Sequence, residues 1–174
     1  ALDEDPPSTG LVHLTNVVEH GPVHTALLGA ANRPCDTVHR IERALLDSDL
    51  DPQAYYAATV RKKKRKEIGR LQSRLAELGT VTTRRFAAGD DLTEWTDTFL
   101  ALEASGWKGR AGSALACQPE TEAFFREALR GAHTAGKLEM LRLRVGDRTI
   151  GILVNFLSAA GSFSFKTAFD EEFS

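Results

Sequence analysis

The stretch from Leu138 to Ser174 constrains the fold most, because its hydrophobic period is two residues rather than 3.6. Leu141, Leu143 and Val145 alternate with Arg142 and Arg144, which predicts a strand with the apolar side chains on its buried face. Gly146-Asp147-Arg148 supplies a tight turn, since glycine tolerates positive φ and aspartate bonds its own backbone. Thr149 to Leu157, rich in β-branched and apolar residues, reads as a second strand. Ser158 to Gly161 turns again, and Ser162 to Phe169 sets Phe163, Phe165 and Phe169 against Ser164 and Lys166. The pattern is that of a three-stranded antiparallel meander, followed by the acidic Asp170-Glu171-Glu172. A last strand with almost nothing after it reads as a domain cut short.

Composition narrows the class. The apolar share of 42% and charged share of 26% are those of a globular chain, so disorder of the whole is not expected. A formal net charge of −2 removes any global electrostatic case for nucleic acid or a membrane as partner. Cys35 and Cys117 stand far apart without a neighbouring cysteine, offering no metal pair and suiting a reducing cytoplasm. No apolar run approaches the ~20 residues that span a bilayer. The acidic, Pro-rich start lacks an initiator Met and a signal-peptide core, so the chain reads as an internal piece of a longer cytoplasmic protein.

Taken in order, residues 1–10 read as a disordered lead. Leu11, Val12 and Leu14 open a short strand ending near Val18. Gly21-Pro22 opens a helix that keeps its spacing through Ala30 and ends at Asn32-Arg33-Pro34. Thr37 to Leu46 is read as a strand, because Thr37 to Ile41 alternates after a turn. Asp51-Pro52 is an N-cap followed by Pro at N1, and the helix it opens is expected to run to Leu78, with Gly79 ending it. Val81 to Phe86 reads as a strand, and Asp90 or Asp91 caps a helix that ends near Gly106. A Gly-rich loop from Gly106 to Cys117 precedes a helix from Pro119 to Ala135, with Phe124, Phe125, Leu129 and Ala132 as its buried face.

Three features could carry chemistry. Arg61 to Lys66 is six cations in a row, which reads either as a nucleic-acid or anion patch or as a solvated helix. Six helical residues turn through roughly 600°, so these charges surround the helix instead of lining one face. Gly106 to Ser113 holds three glycines, one tryptophan and two cations in eight residues. Such a loop can bring backbone close to a ligand and neutralise anionic groups, or simply join two helices with Trp107 tucked into the core. Lys166 is either a functional cation or a sheet-surface lysine. Asp170, Glu171 and Glu172 could supply a general base or merely solvate a strand end. The five histidines show no metal spacing, and neither a nucleophile elbow nor a nucleotide fingerprint is present.

At Gly106-Trp107-Lys108-Gly109-Arg110-x-Gly112-Ser113-Ala114, with Phe124-Phe125 and then Phe165-Lys166-Thr167-Ala168-Phe169-Asp170-Glu171, the sequence resembles a known family. It is similar to the GNAT-superfamily acyltransferases associated with bacterial cellulose biosynthesis, relatives of the Fem-type aminoacyltransferases. The helix bearing Arg61 to Lys66, then Arg70-Leu71, Leu75 and Leu78-Gly79, is also similar to that family's basic helix.

The resemblance implies an α/β (α+β) fold, a GNAT-like mixed sheet flanked by helices and incomplete at the C-terminus. Residues 48–174 would be the N-terminal part of the acyltransferase domain, and 11–47 the tail of a preceding GNAT-like half. It implies acyl-CoA as donor and a small-molecule amine as acceptor. Trp107, Lys108, Gly109 and Arg110 would line the acceptor side. Lys166 and Asp170 would flank the reacting carbonyl, and Ala168 and Phe169 would meet the donor. The family's pyrophosphate loop would fall beyond Ser174, so an inactive 174-residue piece of an active parent is expected, with an exposed strand edge able to pair two copies. The alternatives are an aminoacyl-tRNA-dependent transferase of Fem type and a GNAT-like binding module without turnover.

Overall fold

In the computed structural model, which describes residues 12–42, 44–159 and 161–173, the predicted meander is the centre of the larger of two units. These are Ala1–Asp49 and Leu50–Ser174. The proposed lead at residues 1–10, and the first residue of the strand proposed from Leu11, lie outside the described residues.

In the first unit, helix α1 (Pro22–Ala30) starts as expected, with Gly21 as N-cap and Pro at N1. The described residues of the two proposed strands, at 12–18 and within Thr37–Leu46, are not strands. An alternating pattern becomes a strand only when another strand satisfies its backbone. Here Asn16 takes φ 59°, which breaks extension, and Val38, Ile41 and Leu45 remain exposed. Arg40 instead reaches back to Glu19 at 2.8 Å.

The second unit opens with α2 (Pro52–Thr59), whose N-cap Asp51 accepts from the amides of Gln53 and Ala54 at 3.0 Å each. The single helix expected to Leu78 is broken, because Val60 and Arg61 are extended, and α3 begins afresh (Lys62–Leu78). The break has a local cause within the basic run. Arg65 Nη1 donates to the carbonyls of Ala57 and Val60 at 2.6 and 2.5 Å, satisfying the open end of α2. Strand β1 (Val81–Arg85) follows, then α4 (Leu92–Ser105), whose N-cap Asp91 accepts from Thr93 N at 2.8 Å. A four-residue helix, α5 (Trp107–Arg110), and a 3-10 turn (Leu115–Cys117) lead into α6 (Pro119–Thr134).

The meander is β2 (Leu138–Val145), β3 (Arg148–Ser158) and β4 (Gly161–Phe169), and β1 adds to its other side. The order is β1-β2-β3-β4, with all neighbours antiparallel. One face packs on α4 and α6. Its core is Trp95, Phe99 and Leu100 from α4, Phe125 and Leu129 from α6, and Met140, Ile152, Val154 and Ala168 from the sheet.

Which face of β2 points inward is the reverse of the expectation over most of its length. Met140 and Arg142 face the helices, while Leu141 and Leu143 are half-buried on the other side. Opposite Leu143 and Arg144 the partner strand carries an extra residue, Ile150, and Val145 is buried at the strand's end beside Gly79. Arg142 is tolerated inside because its guanidinium lies 4.0 Å from the Trp95 ring centroid and donates to Glu94 at 2.8 Å. That bond is the chief reason the Glu94 carboxyl is held below its ordinary value.

The strand β4 also departs from the pattern. Its register slips by one residue beside Asn155, so Lys166 and Ala168 lie opposite Val154 and Ile152, whereas Phe163 and Phe169 are exposed. On α6 the buried aromatic is Phe125, and Phe124, expected inside, is 62% exposed.

The inverted face gives a measurable difference. Met140→Ala is expected to cost about 2–5 kcal/mol, as a fully buried truncation does, and Leu141→Ala clearly less, in equilibrium urea unfolding. Equal costs would mean that the leucine face is the core.

Candidate active site

The last turn of α4 presents Glu103 on the stripe that carries Trp95 and Phe99. A carboxylate cannot stay charged in such a place without partners. The Glu103 side chain is 1% exposed. Oε1 accepts from Lys108 Nζ at 2.8 Å, and Oε2 accepts from the backbone N–H of Leu115 at 2.8 Å. From β4, Lys166 Nζ reaches the same Oε1 at 4.0 Å. One buried carboxylate therefore gathers α5, the following 3-10 turn and β4 at a single point.

The Gly-rich segment is a folded turn pressed onto α4. A Cβ at Gly109 would stand 1.7 Å from the Ala104 carbonyl oxygen, so only glycine allows this approach. Lys108 O accepts from both Ser113 N and Ala114 N, at 2.8 and 3.1 Å, which closes the turn. Trp107 is not tucked into the core. It is 55% exposed, at a cleft lined with Glu103, Gly106, Lys108, Ala168 and Glu171.

The acidic triplet is divided between two tasks. Glu171 Oε1 accepts from Trp107 N at 2.7 Å and Oε2 from Arg110 Nη2 at 2.6 Å. Arg110 first, then the Trp107 amide, hold the Glu171 carboxyl below its ordinary value. Asp170 and Glu172 turn the other way, onto Arg148 at 2.5 and 2.6 Å, with Phe173 beneath that guanidinium at 5.0 Å. The structure thus brings Trp107, Lys108, Gly109, Arg110 and Lys166 into one region. Ala168 and Phe169 stand at its strand edge, Ala168 buried and Phe169 47% exposed. Asp170 is engaged by Arg148.

Two contributors escape the sequence reading, Glu103 and the particular role of Glu171. Glu103 could have been found, since an acidic residue four positions after Phe99 falls on the helix's buried stripe and must be paired. Elsewhere in unit 2, the basic run is partly spent on structure, through Arg65 as described and Lys64 on Glu67 at 3.1 Å. Among the described residues no group of His, Cys, Asp and Glu could hold a metal, and no helix is long and apolar enough to cross a membrane.

Residues 62–174, from the start of α3 onward, match the family model described as an acetyltransferase (GNAT) domain. No curated protein sequence matches the chain.

Two expectations test this geometry. Gly109→Ala should destabilise by about 1–3 kcal/mol or more, because the obstacle is backbone. Gly131→Ala, in α6 with nothing within 4 Å, should be neutral or stabilising by about 0.5–1 kcal/mol. Comparable losses in thermal denaturation would remove the close approach.

The second concerns pH. A carboxyl lowered in the folded state contributes stability that is present above its unfolded value and lost as pH falls through the folded one. The Trp107 backbone N–H resonance should therefore hold steady on acidification and move only below the ordinary value of 4.5. Glu171→Gln should reproduce the acid position at neutral pH. A midpoint at 4.5 or above would count against the Arg110 and Trp107 contacts.

Proposed function

The chain belongs to the acetyltransferase (GNAT) domain family, whose activity is acyl transfer, and from that premise we propose an N-acyltransferase. Its donor would be acyl-CoA and its acceptor a small-molecule amine. Acyl-CoA would supply an activated thioester; the amine nitrogen bonds to the acyl carbon, the C–S bond breaks with its electron pair leaving on the CoA thiolate, and the proton shed by the amine ends on that thiol.

The observation that carries this reading is the contrast between the sheet's two edges. Strand β1 is five residues long and ends in Arg84 and Arg85, the short, charged form that discourages further pairing. Strand β4 is nine residues long, has no proline and carries one charge, Lys166, turned toward Glu103. Among the described residues β4 has a neighbour on one side only. An extended ligand with amides of its own can add to such an edge as a further strand would, and the pantetheine arm of acyl-CoA has that form. Laid along β4, it would bring its thioester to Ala168 and Phe169, beside Trp107 and the Glu103 cluster. Edge N–H groups there are the donors available to a developing oxyanion. A second copy pairing along β4 would compete for the same groups.

On the acceptor side, Trp107 offers an exposed aromatic face, while Lys108, Gly109 and Arg110 are fixed by Glu103, Ala104 and Glu171. Both oxygens of Glu103 and of Glu171 already accept from protein donors. The acceptor reacts from its neutral form, and the proton it sheds on forming the amide passes through solvent to the departing thiolate. The likeness of the tryptophan turn to transferases of bacterial cellulose biosynthesis suggests that setting for the acceptor.

Acetyl-CoA titrated calorimetrically into the chain should bind, and acetyl phosphate should not. Release of free thiol with an amine panel should rise with pH along each amine's own ionisation. Trp107→Ala should raise the acceptor KM by about tenfold, a loss of about 1.4 kcal/mol, with little change in acetyl-CoA affinity. No binding of acetyl-CoA at any pH would sink the proposal; binding without thiol release would fit the inactive piece expected from the sequence.

A further inference from the structure

Helix α3 carries seven cations against two acids, a local excess that the near-neutral total of the chain conceals. At about 100° per residue, Lys62, Lys63, Lys66, Arg70 and Arg74 fall within an arc of about 120°, and Lys64 and Arg65 fall outside it. Those two are the ones with protein partners, Lys64 on Glu67 and Arg65 on the carbonyls that end α2. The five on the arc are exposed, and among the described residues none has an ion pair. Ile68 and Leu75, half-buried where α3 meets β2, lie on the opposite side, so the arc faces solvent. This arrangement weakens its own helix. Lys62, Lys66, Arg70 and Arg74 repeat at i,i+4, where like charges repel. The first turn holds cations and no acid, and the last turn holds Glu77, the one acid on the arc, and no base. Both choices oppose the helix dipole. A charged row that costs stability and holds nothing in the fold is explained by a partner that neutralises it.

The flank of the row distinguishes between partners. Leu71 and Leu78 adjoin Arg74 at one side of the arc and are 44% and 69% exposed. A nucleic-acid backbone would meet the cations and gain nothing from two leucines. An anionic bilayer surface offers charged headgroups at the level of the cations and acyl chains just beneath them for the leucines. We propose that α3 docks the protein on an anionic lipid surface, lying in its plane with the five cations among the headgroups. Leu71 and Leu78 dip below them, while Ile68 and Leu75 stay on the sheet. The attachment is independent of the acyl-transfer reading, and its test uses no acetyl-CoA.

The experiment sediments the chain with vesicles of phosphatidylcholine alone and of phosphatidylcholine containing about one-third phosphatidylserine. Partition should be about tenfold or more stronger onto the anionic vesicles and should fall as salt is raised. Lys66→Gln with Arg70→Gln should weaken it about thirtyfold, at about fivefold for each cation near the surface. Arg130→Gln with Lys137→Gln makes the same charge change on exposed residues away from α3 and should matter by less than about threefold. Leu78→Ser should weaken vesicle binding by about threefold or more. The Lys66 and Arg70 pair relieves repulsion within α3, so its melting temperature should not fall, and lost binding is then not lost folding. Equal partition onto both vesicles, an equal loss in the two glutamine pairs, or vesicle binding unchanged in Leu78→Ser overturns the proposal. Binding of a DNA duplex that depends on Lys66 and Arg70, with none to the anionic vesicles, also overturns it and makes the row a nucleic-acid surface.

Discussion

A charged carboxylate with 1% of its side chain in contact with solvent must be answered by its neighbours, and Glu103 is answered from three directions. Stranding it would cost several kcal/mol, so the partners are held where Glu103 needs them. Leu115 N fixes the start of the 3-10 turn, Lys108 fixes the middle of the tryptophan turn, and Lys166 ties in β4. The last turn of α4 would otherwise be an ordinary helix end. With Glu103 it becomes the frame on which Trp107 is held exposed, although tryptophan is a residue that burial favours.

The acidic triplet completes that frame from the opposite side. Consecutive residues cannot all point the same way, so Asp170 and Glu172 reach Arg148 while Glu171 reaches Trp107 N and Arg110. The chain leaving β4 is thereby fastened to β3 on one side and to α5 on the other. Each contact alone is a modest surface interaction. Their combined effect is geometric, because they set the width of the cleft between the tryptophan turn and the end of β4.

Local signals in the sequence were readable wherever one residue type carries one physical meaning. Asp51-Pro52 and Asp91 name helix starts because a carboxylate beside free amides and a proline at N1 have few other uses. The meander was readable because period two and turn residues coincide. Facing was harder. A single extra residue, Ile150 opposite Leu143/Arg144, shifts the pairing of β2 with β3, and no composition marks such a bulge. The rule that arginine faces water failed at Arg142 because Trp95 and Glu94 together replace that water. Thr37 to Ile41 shows the converse, an alternation without a partner strand and therefore without a strand. Within the site, the glycines and cations of residues 106–113 and Lys166 stood out by type. Glu103 did not stand out by type, and only its place four residues after Phe99 marks it as an acid on the buried stripe.

The two edges of the sheet show how such local choices accumulate into a capacity for binding. Charge on β1 makes further pairing costly there, and among the described residues β4 has a neighbour on one side only. An open edge is a liability unless something specific occupies it. On β4 the exposed Phe163 and Phe169 stand at the two ends of the strand, while the charge between them is withdrawn toward Glu103. That orientation follows from the register, which sets Lys166 opposite the buried Val154 on the helix side of the sheet. A sheet edge and a buried carboxylate thus meet at one residue, since Lys166 belongs to β4 and reaches Glu103 at 4.0 Å across the helix side of the sheet.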